Sequence, residues 1–402
     1  MKKILLLGGS AQQVIAITTA KKLGYYTILC DFLPDNPGQF EADEFYLIST
    51  TDKEAVLELA EEKHIDGIVA YSSDPAAPTA AYVAEKLDLP GIPYNIAESF
   101  CNKNLFRKYL EENGFNVPRS VELSPLSSVE AIKDLSFPII LKPTDSSGSK
   151  GVTVLQEPAN FLNARDYAAE VSRNKVLIAE EFIVRDHPDV IEAEIFVVDG
   201  RVAVWGLMNT VRDPYTNPLL PAAYSYPLNV SEARAELVRD EIQRLITVTG
   251  VRYGAFNIEL IITKEDRLYF LDAGPRNGGN ELPEYISMIS GENLVEATLK
   301  AAMGEYASLQ HMSLDGVSNG FWGMMVLHAD KEGIFKKVDY DEAAKQFLLR
   351  ESYFKKSGEF AGAFQISRDA IGLAFFKFPN TAIRDEIMND FSGVHIKIVM
   401  DE

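Results

Sequence analysis

The chain has 402 residues, with 39 Lys and Arg against 59 Asp and Glu, which gives a formal net charge of −20. Hydrophobic residues make up 47% and charged residues 24%, proportions that exclude a largely disordered chain and suit two or three domains. A body this acidic repels nucleic acid and anionic membranes, so an anionic ligand needs a local cluster of Lys, Arg or backbone N–H groups.

The first hundred residues alternate strands and helices. The pattern predicts strands at residues 3–7, 27–31 and 67–71, and helices at 14–23, after Asp52, and at 76–87. Strands that alternate with helices of this length predict βαβ units and a parallel sheet.

Beyond residue 100 the pattern changes. An amphipathic helix is predicted at 102–113, followed by strands with hairpin-like turns at 138–142, 152–155, 176–179, 191–198 and 201–207. A helix at 231–249 precedes strands at 255–262 and 267–273. Residues 305–402 predict a smaller α+β portion with strands near 320–328, 372–378 and 394–400.

Two features of the sequence bear on location. Cys30 and Cys101 show neither metal-ligand nor redox spacing, which favours a reducing compartment. The apolar run at residues 4–7 is too short for a signal peptide, and no apolar run approaches a membrane span. We therefore expect a cytoplasmic protein without nucleic-acid or membrane partners.

A segment of small residues between two predicted strands carries the strongest local signal. It reads KPTDSSGSKGV over residues 142–152. Gly148 and Gly151 let backbone N–H groups turn toward an anion, and Lys142 and Lys150 add positive charge. The segment predicts a phosphate-binding loop, with an ordinary hairpin turn as the alternative; because no helix follows, it is not a P-loop.

Two carboxylates lie on neighbouring predicted strands. A four-residue turn at 264–267 pairs residue 263 with 268, and therefore Glu259 with Asp272. Like charges directly opposite each other destabilise a sheet, and a divalent cation between them removes the conflict. The pair predicts a Mg²⁺ site, with two exposed acids on an edge hairpin as the alternative.

Three further signals are weaker. Arg276 follows the second carboxylate in a Pro- and Gly-rich loop, where it would stabilise a transferring phosphoryl group or an oxyanion, or form a structural salt bridge. Lys103 in a first helical turn is either a phosphate ligand or a solvated lysine. The glycines that follow the first strand indicate tight packing of strand on helix, with an anion site on Gly8, Gly9 and Ser10 as the alternative.

Taken in order, these segments resemble the ATP-grasp superfamily. The matching pieces are Lys103 in CNKNLFRKYLEENGFNVP, Lys142 in FPIILKPTDSSGSKGV, the segment IAEEFI at 178–183, Glu259 in YGAFNIEL, and Asp272 with Arg276 in LYFLDAGPRNGG. The branch resembled contains biotin carboxylase, carbamoyl phosphate synthase domains and the purine-pathway ligases. The resemblance covers residues 1–300, approximately.

The resemblance implies a mixed α/β and α+β architecture. A Rossmann-like pre-ATP-grasp domain would occupy 1–97, an ATP-grasp domain with a lid at about 119–184 would occupy 98–304, and an α+β domain would occupy 305–402. The implied cofactors are ATP and Mg²⁺, with Mn²⁺ as a substitute.

The resemblance also implies residue roles. Lys103 and Lys142 would contact the ATP phosphates, and the loop closing over them would be Ser147, Gly148, Ser149, Lys150, Gly151 and Val152. Adenine would meet Glu180, Glu181, Phe182 and Ile183, largely through backbone, and the ribose would meet Glu194, with Asp189 as a rival. Glu259 and Asp272 would bind Mg²⁺, and Arg276 would lie over the reacting centre.

The implied activity is an ADP-forming carboxylate–amine ligase that works through an acyl-phosphate. Its partners would be a small-molecule carboxylate and an amine, and a homodimer is left open. The candidates for substrate contacts are Arg212, Tyr224, Asn277, Gly278 and Gly279.

One departure from the family pattern keeps alternatives open. The usual Glu-x-Asn-x-Arg is here Asp272-Ala-Gly-Pro-Arg276, so Gly274 supplies no metal oxygen, and a water, Asn277 or Asn280 must substitute. One alternative is a purine-pathway ligase, such as a phosphoribosylglycinamide synthetase-like enzyme, with its substrate phosphate on residues 8–10. Another is a catalytically weak ATP-binding module.

Overall fold

The structure is a computed structural model that describes residues 1–312 and 320–401. The strands are β1 (Lys3–Leu7), β2 (Tyr26–Asp31), β3 (Glu44–Leu47), β4 (Gly67–Val69), β5 (Ser120–Leu123), β6 (Ile139–Pro143), β7 (Thr153–Leu155), β8 (Leu177–Glu181), β9 (Val190–Val198), β10 (Arg201–Arg212), β11 (Pro221–Tyr226), β12 (Tyr253–Ile262), β13 (Leu268–Gly274), β14 (Phe321–Leu327), β15 (Gly333–Tyr340), β16 (Leu348–Tyr353), β17 (Phe360–Ala361), β18 (Gly372–Phe378) and β19 (Ile396–Asp401). The α-helices are α1 (Val14–Lys22), α2 (Lys53–Lys63), α3 (Ala77–Lys86), α4 (Tyr94–Phe100), α5 (Lys103–Glu112), α6 (Phe161–Val171), α7 (Glu232–Thr249), α8 (Leu282–Ser290), α9 (Leu294–Ala302), α10 (Glu342–Lys345) and α11 (Thr381–Met388).

The chain divides into two compact units. The first comprises Met1–Asp186, Ala193–Gly206 and residues 233–312. The second comprises His187–Glu192, Leu207–Glu232 and residues 320–401. The three domains expected from the sequence, with boundaries near 97 and 304, stay a prediction.

The first unit begins with the predicted parallel sheet, in the strand order β3-β2-β1-β4. Helix α2 begins at Asp52, whose side chain accepts a hydrogen bond from the backbone N–H of Ala55. The apolar faces of β1, β2 and β4 pack with α2 and α3 around Leu5, Ile28 and Val56. Because the strands are parallel, the loops that follow β1, β2 and β4 meet at one edge, where open α/β sheets bind ligands.

A second sheet of the first unit spans the predicted lid segment. It is antiparallel with the order β5-β8-β6-β7, and α6 packs on it through Phe161, Ala164 and Ala168. Strand β5 and helix α6 were not predicted, because β5 is short and largely exposed and the helical spacing of α6 is carried partly by alanines.

The third sheet of the first unit contains the acidic hairpin, in the order β13-β12-β9-β10. Most residues of strand β12 are buried, and the two that flank Glu259, namely Ile258 and Leu260, are fully buried. The hairpin lies at the edge of its sheet, because β13 is the terminal strand, but the buried residues beside Glu259 exclude a ribbon exposed to solvent. The predicted helix at 231–249 is α7, and the glycine-rich loop after β13 leads into α8 and α9.

The second unit is α+β, as predicted. Its strands follow the orders β10-β11-β14-β18-β16 and β17-β15-β19, around a core that includes Val211, Met325 and Phe376. The three strands expected near its carboxyl end are β14, β18 and β19. Strand β11 was not predicted, because the prolines around it resemble a loop. Within residues 1–312 and 320–401, no helix has the length and apolarity that crossing a bilayer requires.

Candidate active site

The two acidic residues of the β12–β13 hairpin face each other, as the sequence predicts. Glu259 is the register partner of Asp272, but the predicted turn is one residue too short: Ile262, not residue 263, pairs with Leu268. A register shift between Glu259 and Leu260 compensates for the longer turn. The bulge thus returns both carboxylates to one position on the sheet, where each is half-buried.

Lys103 lies against this pair. Its Nζ is 3.0 Å from Oδ2 of Asp272 and donates to the carbonyl of Ser146 at 3.1 Å, and only 12% of its side chain is exposed. Burial would lower the pKa of Lys103, but Asp272 outweighs burial and raises it. Burial would likewise raise the pKa of Asp272, but Lys103 and Lys142 hold it below its usual range. The solvated-lysine alternative is therefore wrong.

A buried ion cluster lies next to this pair. The carboxylate of Glu180 accepts hydrogen bonds from Lys142 Nζ at 2.6 Å and from Nε of Arg107 at 2.6 Å. All three side chains are at most 10% exposed. Arg107 also donates to the carbonyls of Phe270 and Leu271, so α5 is tied to β13 at the carboxylate pair.

The neighbours of Lys142 and Glu180 offset the effect of burial on the two pKa values to different degrees. Burial lowers the pKa of Lys142, and Glu180 only partly opposes it. Burial acts in the opposite sense on Glu180, yet Arg107 and Lys142 hold the pKa of its carboxyl below its ordinary value. The cluster therefore places Lys142 beside the hairpin, and the charge of this lysine depends on the neighbouring Glu180.

The loop after β6 has the backbone that the sequence predicts. Gly148, Ser149 and Gly151 take φ values of 64°, 56° and 75°, in the left-handed region that favours glycine. Ser146 closes the loop by donating from Oγ to the carbonyl of Lys150 at 2.9 Å. Residues 145–150 are half-buried, so their backbone can approach a ligand at Lys103. The phosphate-binding role of the loop stays a prediction.

The segment proposed to contact adenine divides into two parts. Glu180 lies between β5 and β6, paired with Ser120 and Ile140, and its side chain belongs to the ion cluster. Its carboxylate is thus committed to Arg107 and Lys142 rather than to a base. The strand ends at Glu181, and Phe182 and Ile183 follow outside it with partly exposed side chains. An adenine contact through the backbone of residues 180–183 stays a prediction.

Glu194, proposed as a ribose ligand, has another task. It is fully buried, and its carboxylate accepts from Nδ2 of Asn277 at 3.2 Å, from the N–H of Gly278 at 2.8 Å and from Nδ2 of Asn257 at 3.3 Å. Glu194 therefore positions the loop after β13, and its role as a ribose ligand stays a prediction. The rival, Asp189, belongs to the second unit.

Arg276 is held by a residue that the sequence did not single out. Asp74, in the loop after β4, pairs with Arg276 through Nε at 2.6 Å and Nη2 at 2.5 Å. Burial would lower the pKa of Arg276, but Asp74 outweighs burial and keeps the guanidinium charged. The sequence does contain a signal for Asp74, because it is an acid just beyond the carboxyl end of a parallel strand, where such sheets bind ligands.

Gly274 makes this pairing possible. A Cβ on Gly274 would lie 2.5 Å from Oδ1 of Asp74 and 2.9 Å from Cζ of Arg276. The space that an asparagine would fill in the family pattern is thus taken by the Asp74 carboxylate. Of the expected substitutes, Asn277 is bonded through its side chain to Glu194 and Thr298, and a metal contact by Asn280 or by a water stays a prediction. Arg107 was likewise not predicted as a site residue from the sequence, although it lies one turn after Lys103 on α5.

The glycines after β1 serve packing, as predicted. The N–H groups of Gly8, Gly9 and Ser10 donate to the Cys30 carbonyl, to the Asp31 carboxylate and to Oε1 of Gln13. A Cβ on Gly9 would lie 2.1 Å from Oδ1 of Asn36. The donors that an anion would need are therefore already used, and a carboxylate stands among them.

The remaining candidates for substrate contacts fall in two places. Gly278 and Gly279 lie in the loop held by Glu194, together with Asn277. Arg212 and Tyr224 belong to the second unit, where Tyr224 is buried in β11 and Arg212 donates to the carbonyl of Leu219. A substrate contact by any of these residues stays a prediction.

The donor set fits Mg²⁺ and a triphosphate. Among residues 1–312 and 320–401, no three His, Cys, Asp or Glu side chains form a metal-binding group. Mg²⁺ is commonly held by one or two carboxylates, with phosphate oxygens and waters completing its shell. Glu259 and Asp272 would supply the carboxylates, and Lys103 and Lys142 would supply charge for the phosphates.

Comparison with known proteins agrees with this geometry. Residues 135–284 match the family model of the ATP-grasp domain. The chain is 26% identical over 313 residues to formate-dependent phosphoribosylglycinamide formyltransferase of Bacteroides thetaiotaomicron, a match that covers 76% of this chain and 78% of the relative. It is 23% identical over 295 residues to the carbamoyl phosphate synthase large chain of Thermotoga petrophila, covering 68% of this chain but only 26% of that relative.

Solved structures share the fold over the full chain. L-amino acid ligase from Bacillus licheniformis has a TM-score of 0.79 at 19% identity, covering 100% of this chain and 99% of that chain. Phosphoribosylglycinamide synthetase from Anaerococcus prevotii has a TM-score of 0.75 at 20% identity, covering 100% of both chains. The resemblance stated from the sequence is confirmed: residues 135–284 match the ATP-grasp domain, and the proteins to which the chain is similar in sequence or fold include carbamoyl phosphate synthase, a biotin carboxylase domain and purine-pathway enzymes.

Proposed function

We propose that the protein is an ADP-forming ligase that joins a small-molecule carboxylate to an amine through an acyl-phosphate, with ATP and Mg²⁺ as cofactors. One observation supports this most directly: Lys103 lies 3.0 Å from Asp272, which faces Glu259 across the hairpin. A carboxylate pair and a lysine brought to one position by three separate elements suit a Mg²⁺–phosphate complex.

Different side chains of the first unit have different roles in the first half of the proposed reaction. Lys103 and Lys142 bind the phosphates of ATP, and the loop at 147–152 covers them and excludes water. A carboxylate oxygen of the substrate attacks the γ-phosphorus, the bond to the ADP oxygen breaks, and an acyl-phosphate forms. Glu259 and Asp272 would hold Mg²⁺, which would supply charge neutralisation for the phosphates.

The second half of the reaction belongs to Arg276. The amine nitrogen attacks the acyl carbon, inorganic phosphate leaves, and the nitrogen loses a proton. Arg276 stabilises the oxyanion that develops during this attack. Asp74 holds the guanidinium through two of its five N–H donors, which fixes its plane before the substrate arrives.

The alternatives are weakened by particular contacts. A purine-pathway ligase with its substrate phosphate on residues 8–10 would need N–H donors that Cys30, Asp31 and Gln13 already use. A catalytically weak module was suggested by Gly274, but Asp74 places a carboxylate in the space that the missing side chain leaves. The fold shared with an L-amino acid ligase supports amino acids as the first acceptors and donors to test.

The test is an ADP-release assay with pooled carboxylates and amines in the presence of MgATP. Stimulation by an acid and an amine together, with formation of an amide, is the expected result. Glu259→Gln should lower that rate by more than about tenfold, because one ligand of the metal is lost. Glu265→Gln, on the exposed turn of the same hairpin, is the matched control and should leave it unchanged. Stimulation by a ribonucleotide, or ATP binding without stimulation, would contradict the proposal.

A further inference from the structure

A cavity of about 290 Å³ lies in the first unit, apart from the carboxylate pair, and opens to solvent at Gly91, Gly250 and Arg252, which are exposed. Its walls come from the end of β4, from α3 and α9, and from the start of β12. Pro275, Arg276 and Asn277 form one part of the wall. The cavity thus reaches the loop that carries the residue proposed to stabilise the oxyanion.

Small side chains create this space. Ala77, Ala80, Ala81 and Ala84 follow one face of α3 at the spacing i, i+3, i+4 and i+7, and all four line the cavity. Protein interiors are normally close-packed, with few voids larger than a water molecule. An apolar cavity of about 150 Å³ is enough to hold benzene. The cavity therefore has room for a branched aliphatic chain or an aromatic ring with its linker.

Among the polar groups in the wall, Arg276 stands out. Asn277 Oδ1 accepts from Thr298 at 3.0 Å and its Nδ2 donates to Glu194, so these groups are already satisfied. Arg276 has five N–H donors, and the bonds described for it use three: two to Asp74 and one to the carbonyl of Asn277. A cation beside apolar walls suits a ligand with an anionic head and an apolar tail.

We propose that this cavity receives the apolar tail of the carboxylate substrate, whose carboxylate then faces Arg276. The assignment rests on the proposed ligase function and names its substrate class: monocarboxylates, amino acids included, with a branched aliphatic or aromatic side chain. Acids with a second charged group are disfavoured, because alanine and proline side chains cannot satisfy a buried carboxylate and the other cation that lines the cavity, Arg252, is already paired with Asp199.

The test uses hydroxylamine as the amine, so that an acyl-phosphate is recovered as a hydroxamate. The acids are 4-methylpentanoate and 3-phenylpropanoate, with acetate and succinate as the tail-less and doubly charged comparisons. We expect kcat/KM to be at least tenfold higher for the two apolar acids, the range that differences of one or a few methylenes produce in an apolar pocket. Equal rates with acetate or succinate would overturn the assignment.

Ala80→Leu fills the cavity from α3. It should raise KM for the apolar acids at least tenfold, and Ala80→Val should give a smaller increase, while melting temperature reports that both variants fold. Ala233→Leu, on an exposed position of α7, makes the same change in volume elsewhere and should leave KM unaltered. Unchanged KM in a folded Ala80→Leu overturns the inference.

The two failures are distinguishable. Hydroxamate formed from acetate or succinate as readily as from the apolar acids retains the ligase and removes the cavity assignment. Absence of hydroxamate with every acid removes the ligase and the substrate assignment together. Calorimetric titration of 4-methylpentanoate into the protein with MgADP then tests whether the cavity binds an apolar acid at all. Binding that is lost in Ala80→Leu would show that the acid occupies the cavity.

Discussion

Glu180 is the residue whose neutralisation should cost the most stability, and Glu180→Gln is the perturbation we develop. Its side chain is 4% exposed and compensates two buried cations, Lys142 and Arg107, with its shortest contacts at 2.6 Å. Removing one partner of a buried ion pair costs about 3–5 kcal/mol, because the remaining charge stays buried and uncompensated. The glutamine amide also turns its NH₂ group toward Lys142 or Arg107, which are themselves donors, so we expect the loss of stability to reach this range.

Urea denaturation at pH 7, followed by far-UV circular dichroism, measures the loss. Glu181→Gln on the same strand is the matched control: its side chain accepts from the N–H of Ser136, a bond that a glutamine oxygen preserves. A difference between the two variants of under about 1 kcal/mol would refute the claim that Glu180 compensates two buried cations.

The pH dependence of the same pair gives a second readout. In the folded protein the pKa of Glu180 lies below its ordinary value, so its contribution to stability is present above that value. The contribution is lost as pH falls through the folded pKa. The stability difference between the unmodified protein and Glu180→Gln should therefore shrink below about pH 4.3. A difference that stays constant down to pH 3 would contradict the depressed pKa.

Three further predictions concern ligands. Lys142→Ala should abolish ATP binding in a calorimetric titration; unchanged affinity would count against the loop assignment. Mg²⁺ added with ADP should raise the melting temperature less in Glu259→Gln than in the unmodified protein, because the metal loses one carboxylate, and equal shifts would exclude that ligand. Gly274→Ala should lower ligase turnover about 10–100-fold while the affinity for MgADP stays unchanged, because its Cβ displaces Asp74 from Arg276; normal turnover would show that this pair is dispensable.

The parts of the site that could be predicted depend on short-range patterns. The pairing of Glu259 with Asp272 follows from one hairpin, and it survived an error in the turn length only because a bulge compensates. The conformation of the loop at 147–152 follows from its glycines. In both cases the information lies within a few residues along the chain, where turn chemistry and strand alternation decide the outcome.

The parts that were missed depend on contacts between distant segments. Asp74 meets Arg276 across 202 positions of sequence, and Arg107 meets Glu180 across 73. Glu194 illustrates the same limit: its position suggested a ribose ligand, and only the folded chain shows three donors from β12 and the loop after β13 around it. An acid in a sequence does not disclose its partner, because partners are chosen by tertiary packing.

The arrangement of charges suits the proposed binding of ATP by so acidic a protein. In the absence of nucleotide, Lys103 is neutralised by Asp272 and Lys142 by Glu180, so the cations are held in place by carboxylates. If the proposed function holds, binding is an exchange of partners: a phosphate would take the place of a carboxylate beside each lysine, and the cost of organising the cations has been met during folding. The exchange also requires that Asp272 gain another positive neighbour, which Mg²⁺ brought with ATP provides. Without the metal, a phosphate near Lys103 would face two carboxylates, so metal-free ATP should bind far more weakly than MgATP; equal affinities would show that the carboxylate pair does not meet the phosphates.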